Sequence, residues 1–224
     1  MSKSLKILLT GSSGAIGSSI QERLKQDRHT IIAPSSADLD LSSTQSVVNW
    51  LSNNSQELFD GIILSAGINR PELLIKTDES ELSKILEVNL RSNRRILAEL
   101  LPGMAERKFG RIVAISSAYS IISRVGRSSY SISKAGLDAL IRSAAVEYGP
   151  DNILANLVVP GFINTSLTLR NNTDNQLSKI LERVPMNRLG EPGEVSSAVA
   201  FLISAENTFI TGQRLNVDGG FSIN

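Results

Sequence analysis

The chain has 224 residues, 41% hydrophobic and 20% charged, with a net charge of +1: enough for one soluble α/β-sized domain, with no electrostatic case for nucleic acid or an anionic membrane. Cysteine is absent, which excludes disulfides and thiolate chemistry, and the single His29 reads as a surface loop residue that cannot build a metal site alone, so no metal is expected. The apolar run in MSKSLKILLTGSSG is too short for a secretory leader and no stretch approaches the ~20 apolar residues of a membrane span, so a cytoplasmic protein is expected.

Short apolar runs alternate with longer amphipathic segments. Lys6–Thr10 reads as a buried strand, followed by glycines and a helix from about Ala15 to Gln26. Thr30–Ala33 is a second strand and Ala37–Leu41 (ADLDL) a third. Ser42 or Ser43 caps a helix carrying Val47, Val48 and Leu51. Gly61–Ser65 is a strand, and Leu82 to about Arg107 one long helix. Arg111–Ser116 is a strand, Ser129–Tyr148 a helix and Ala155–Val159 a strand. A polar segment over 164–183 precedes a helix at Gly193–Ser204 and a last strand at Arg214–Val217. This alternation predicts an α/β fold over 1–224: a single domain with a doubly wound parallel sheet, Rossmann-type, covered on both faces. Only Pro34-Ser35-Ser36-Ala37 separates the second and third expected strands, so the crossover helix between them is missing.

The glycine loop Thr10-Gly11-Ser12-Ser13-Gly14-Ala15-Ile16-Gly17 joins the first strand to the first helix. That is where a doubly wound sheet binds a pyrophosphate, because glycines permit close backbone approach and the helix end offers free N–H groups. A turn without a ligand is the alternative. Further on, Tyr130 and Lys134 lie four apart on a helix and so share a face. A free phenol has a pKa near ~10, and a nearby ammonium favours its ionised form. Ser117 ends a predicted strand thirteen residues before Tyr130. Its hydroxyl can hold a carbonyl oxygen; Ser116, one strand position away, should face oppositely.

Together these motifs resemble the single-domain short-chain dehydrogenase/reductases over nearly the whole chain. TGSSGAIG, Asp40-Leu41, Ser65-Ala66-Gly67, Val88-Asn89-Leu90, Ser116-Ser117, Tyr130-x-x-x-Lys134 and Pro160-Gly161-Phe162-Ile163-Asn164-Thr165 appear in the family's order. Arg188-Leu189-Gly190 and Val217-Asp218-Gly219-Gly220 are most similar to 3-oxoacyl-acyl-carrier-protein reductases and their sugar, steroid and polyol relatives. The resemblance implies hydride transfer between NADP, or NAD, and a ketone/alcohol pair. The substrate would be a carrier-bound acyl group or a small ketone, polyol or sugar derivative. A non-catalytic nucleotide-binding protein on the same fold is the competing class.

By the same resemblance, Tyr130 is the proton donor in reduction, Ser117 holds the carbonyl, Lys134 grips the nicotinamide ribose, and Asn89 kinks its helix and holds a relay water. Gly11, Ser13, Ala15, Ile16, Gly17, Ser35, Asp40, Leu41, Ser65, Ala66, Gly67, Pro160, Gly161, Ile163 and Thr165 join Tyr130 and Lys134 around the cofactor. Ser65 stands where the family usually has asparagine. NADP is favoured because no acid follows the second strand until Asp38, although no arginine stands beside Ser35 and Ser36. The segment 166–184 falls where the family has a substrate lid. Arg107, Lys108 and Arg111 are candidates for docking an acyl carrier. Asp218 reads as a turn device. Apolar residues on several faces of the helix at 129–148, among them Leu137, Leu140, Ile141 and Val146, suggest a homotetramer or homodimer.

Overall fold

The computed structural model describes residues 4–223; the other four, part of the expected 1–224 domain and of the opening segment, lie outside the described residues. Six parallel strands form one sheet in the order β2-β1-β3-β4-β5-β6. They are β1 Lys6–Thr10, β2 Thr30–Ile32, β3 Gly61–Leu64, β4 Gly110–Ile115, β5 Ile153–Pro160 and β6 Arg214–Val217. Strand alternation divides the core in two. Leu8, Ile62, Leu64, Ile112, Ala114, Leu157 and Val159 face one layer of helices: α2 Thr44–Asn53, α4 Ser92–Glu106 and α5 Ser128–Tyr148. Ile7, Leu9, Ile63, Val113 and Val158 face the other, where α1 Ala15–Gln26 packs on α8 Pro192–Ile203. Among the described residues, no helix is long and apolar enough to cross a membrane.

Three expectations are corrected. Ala37–Leu41 is a turn, not a strand. No helix lies between β2 and Asp40, as the spacing required, but the strand that helix would have served is absent too. The crossover from β2 to the sheet's actual third strand is α2, whose cap is Ser43, accepting from the Ser46 N–H. The long helix is divided as well. It runs through α3 Glu79–Leu86, a π-helical turn at Glu87–Arg91, and then α4. Leu90 of the π-helical turn lies against Gly136 of α5, where a Cβ would stand 2.6 Å from Leu90 Cδ2. Finally, His29 is half-buried and accepts a hydrogen bond from the Leu5 N–H at 3.1 Å, just before the first residue of β1.

The polar segment after β5 folds into two short helices, α6 Ser166–Arg170 and α7 Asp174–Leu181. Thr165 caps the first and Thr173 the second, the latter in a capping box with Gln176. Ile180 anchors α7 to the core. Asp218 accepts from the Gly220 and Ser222 N–H groups, closing the C-terminal turn as expected.

Candidate active site

The sheet reverses direction of winding between β1 and β3, and a crevice opens outside their carboxyl ends. Gly11 (φ +73°) passes so close to β3 that a Cβ there would meet the Ala66 backbone at 2.6 Å. Gly17 lies over the same turn, where a Cβ would stand 2.0 Å from Gly11 O. Only glycine fits either position. The hydroxyl of Thr10 accepts from the Ser65 and Ala66 N–H groups, fixing the two loops against each other. Gly14 caps α1 without a side-chain acceptor, so the first N–H groups of α1 are left for a ligand. This cradle has the shape and donors a dinucleotide pyrophosphate requires.

Two cavities flank the cradle. The first is lined by Gly11, Ser13, Asp40, Leu41, Ser65, Ala66 and Gly67, together with Pro34, Ser36 and Lys84. The second is lined by Ile16, Ser65, Gly67, Ser117, Tyr130, Lys134, Pro160, Gly161, Ile163 and Thr165, together with Tyr119, Arg127 and Phe162. Leu167, Thr168, Asn171 and Asn172 close it from the α6–α7 side, where the lid was expected. Ala15, Gly17, Ser35 and Asn89 line neither cavity. Ser35 is turned away. Its hydroxyl donates to Asp38 at 2.7 Å, and Asp38 also accepts from the Ser35 N–H. Asp40 accepts from the N–H and hydroxyl of Ser42, which hold its carboxyl below the usual range.

In the second cavity Ser117 and Tyr130 stand on the same wall, near enough for the serine hydroxyl to act on the phenol. Burial pushes the Tyr130 phenol up to about 12; the nearby Ser117 hydroxyl and the Arg127 charge act against it. Lys134 is 3% exposed and its Nζ donates to Ile115 O at 2.8 Å, 5.7 Å from the Tyr130 ring centre. Burial pushes its amine down to about 8. Ser116 points the other way, donating to buried Asp138, as strand alternation required. Asp138 also pairs with Arg214 and accepts from Ser120 at 2.8 Å, a network that ties α5 to β4 and β6.

Asn89 is fully buried in the π-helical turn. Its Oδ1 accepts from Ile68 N–H at 2.8 Å, and its Nδ2 donates to Ile68 O and Ser133 Oγ at 2.9 Å each. Asn93 donates to the Asn89 carbonyl, one of the backbone groups the turn frees. Gly67 sits against both amide and amine: a Cβ there would stand 3.3 Å from Lys134 Nζ and 3.4 Å from Asn89 Oδ1.

Some functional candidates escaped the sequence reading. Lys84, Tyr119 and Arg127 line the cavities, and the only sequence signal for Arg127 was its place three residues before Tyr130, at the helix N-cap. The proposed basic docking set is corrected. Arg111 is buried and donates to the carbonyls of Asn207, Gly110 and Asn152; Arg107 donates to Phe59 O; Lys108 pairs with Asp151 at 2.5 Å. They lie at the amino end of β4, opposite the cleft.

A family model described as Enoyl-(Acyl carrier protein) reductase matches residues 6–222. The 3-oxoacyl-(acyl-carrier-protein) reductase of Vibrio cholerae serotype O1 is 34% identical, with 95% of each chain covered. Aldohexose dehydrogenase of Thermoplasma acidophilum superposes with a TM-score of 0.90 at 30% identity, covering 99% of this chain and 95% of that one. A 4-hydroxyisoleucine dehydrogenase complexed with NADH gives a TM-score of 0.93 at 25% identity, covering 98% and 99%. With its glycine cradle at the sheet's switch point and Ser117, Tyr130 and Lys134 gathered in the adjoining cleft, the chain belongs to the short-chain dehydrogenase/reductase family of NAD(P)-dependent oxidoreductases acting on CH–OH groups.

Proposed function

We propose that this protein interconverts a ketone and a secondary alcohol, with NADPH or NADH as the hydride partner. The observation that carries the reading is the Ser117–Tyr130 hydroxyl pair backed by buried Lys134. A carbonyl oxygen entering between the two hydroxyls receives two hydrogen bonds, which strengthen as negative charge develops on it. Tyr130, protonated at neutral pH, then gives that oxygen its proton; in the reverse direction it takes one back. Lys134 spends one N–H on Ile115 O and has two more for a ribose. Asn89 holds Ile68 and Ser133 in place beside Lys134. The bound nicotinamide supplies the hydride. Its pyrophosphate would rest on Gly11, Ser13, Ala15, Ile16 and Gly17, its adenosine beside Asp40, Leu41 and Ala66, and its nicotinamide between Gly67, Pro160, Gly161, Ile163 and Thr165.

Because the family description names enoyl reduction, an alkene substrate is the second reading. The hydroxyl pair favours a carbonyl, as do the 3-oxoacyl reductases among the relatives. Following cofactor absorbance with an acetoacetyl thioester and a crotonyl thioester separates the two. Oxidation of NADPH or NADH by the oxo compound alone is expected. Turnover of the crotonyl compound alone would favour the second reading, and no turnover with any carbonyl the non-catalytic alternative. A carrier-bound acyl group is one substrate form consistent with the 3-oxoacyl relatives. The expected setting is the cytoplasm and the expected assembly a homotetramer or homodimer.

A further inference from the structure

The catalytic cleft contains a cation with nothing to neutralise it. Arg127 is 6% exposed, forms no ion pair among the described residues, and leaves Nη1 without a hydrogen-bond partner. Its charged neighbour is another cation, Arg124, whose own Nη1 is engaged with Asn172 at 3.1 Å. Next to it stands Tyr119, with ring centre 5.9 Å from the guanidinium carbon, whose buried hydroxyl is also unpartnered. Both residues line the cavity that holds Ser117 and Tyr130. Burying a guanidinium beside an idle hydroxyl is unfavourable unless an anion completes the set. Among the described residues the other buried cations, Arg111 and Lys134, also lack an acid but spend N–H groups on carbonyl oxygens, whereas Nη1 of Arg127 has no acceptor at all.

We propose that Arg127 and Tyr119 receive the carboxylate of an anionic substrate, a free oxo acid or the corresponding hydroxy acid, whose ketone oxygen lies between Ser117 and Tyr130. The assignment rests on the carbonyl-reductase reading above and narrows it. A guanidinium N–H and a phenol O–H supply one donor to each oxygen of a carboxylate, and arginine suits that planar group. A carrier-bound 3-oxoacyl group presents a neutral thioester beyond its ketone. It offers the cation nothing.

The test sets acetoacetate and pyruvate against their methyl esters, with NADPH and NADH, in wild type, Arg127→Gln and Arg127→Lys. Wild type should prefer each acid to its ester. In Arg127→Gln the acid-to-ester ratio of kcat/KM should fall about 100-fold, with Arg127→Lys between, since lysine keeps the charge but not the fork. The ratio is the readout because a general loss of folded protein lowers both substrates alike. In a second arm, succinate at matched ionic strength should raise the melting temperature of wild type and not of Arg127→Gln. An unchanged ratio, or an equal succinate shift in both proteins, overturns the assignment. If wild type reduces none of the four compounds but loses its succinate shift in Arg127→Gln, the anion site stands and the reductase reading falls. If wild type shows neither reduction nor a succinate shift, the anion site falls as well.

Discussion

Tyr130 and Lys134 are shifted in opposite directions by one cause, removal from water, and both are thereby held toward their neutral forms. For Tyr130 the consequence is a phenol that keeps its proton at neutral pH, ready for carbonyl reduction. Tyr130→Phe should therefore cost about 10²–10⁴ in reduction rate while cofactor affinity stays within a few-fold, checked by turnover and isothermal titration. For Lys134 the consequence is a pH-dependent stability. Its folded pKa of about 8 lies below the free value of 10.5, so the unfolded chain binds more protons between those limits. Wild type pays the charge-burial cost in full below pH 8 and is relieved of it as pH rises toward 10.5. The stability of Lys134→Met minus that of wild type should fall by about 3 kcal/mol across that window, as measured by urea titration. A difference that stays flat with pH would show that the amine is not shifted.

At the scale of elements, we propose that the turn after β2 bears on cofactor choice. Asp38 engages the Ser35 hydroxyl and N–H, which takes both donors from a 2′-phosphate. Asp38→Ala should raise kcat/KM for NADPH relative to NADH several-fold; an unchanged ratio would remove Asp38 from the discrimination. The same turn shows where sequence patterning misleads. ADLDL alternates like a strand, but Leu39 and Leu41 reach the core from a turn whose polar groups are satisfied by Ser35, Asp40 and Ser46 side chains. Likewise, apolar periodicity carried from Leu82 to Arg107 although a π-helical turn interrupts it, because buried positions such as Ile85, Val88, Ser92 and Ile96 keep a three-to-four-residue spacing across the turn. The glycine loop and the Tyr130/Lys134 pair were legible because strand–turn–helix and four-residue spacing place them locally, and Ser117 because its distance from Tyr130 resembles the family's. Arg127 was not, since an arginine beside a helix start is ordinary until its buried Nη1 proves to have no hydrogen-bond partner.

Across the whole molecule, Leu137 and Ile141 belong to the core and Leu140 packs against it, correcting their assignment to a subunit contact. Among the apolar residues left exposed are Ile132 and Val146 on α5, and Phe201, Phe209, Ile210 and Leu215 on and around β6 and α8. Phe209 is 95% exposed. We propose that these exposed residues meet a second copy of the chain: light scattering at micromolar concentration should report a dimer or tetramer, and Phe209→Lys should shift the population toward smaller species. A monomeric wild type would contradict this. The turn at residues 37–41 has one more effect. With no strand beyond it, β2 is the border of the sheet, and a border with free backbone groups invites strands from other molecules. Here the invitation is brief: β2 ends at Ile32, Pro34 lacks an N–H, and the following donors are already spent on Ser35 and Asp38. A fibril seeking to extend this sheet would find three residues of template and then none.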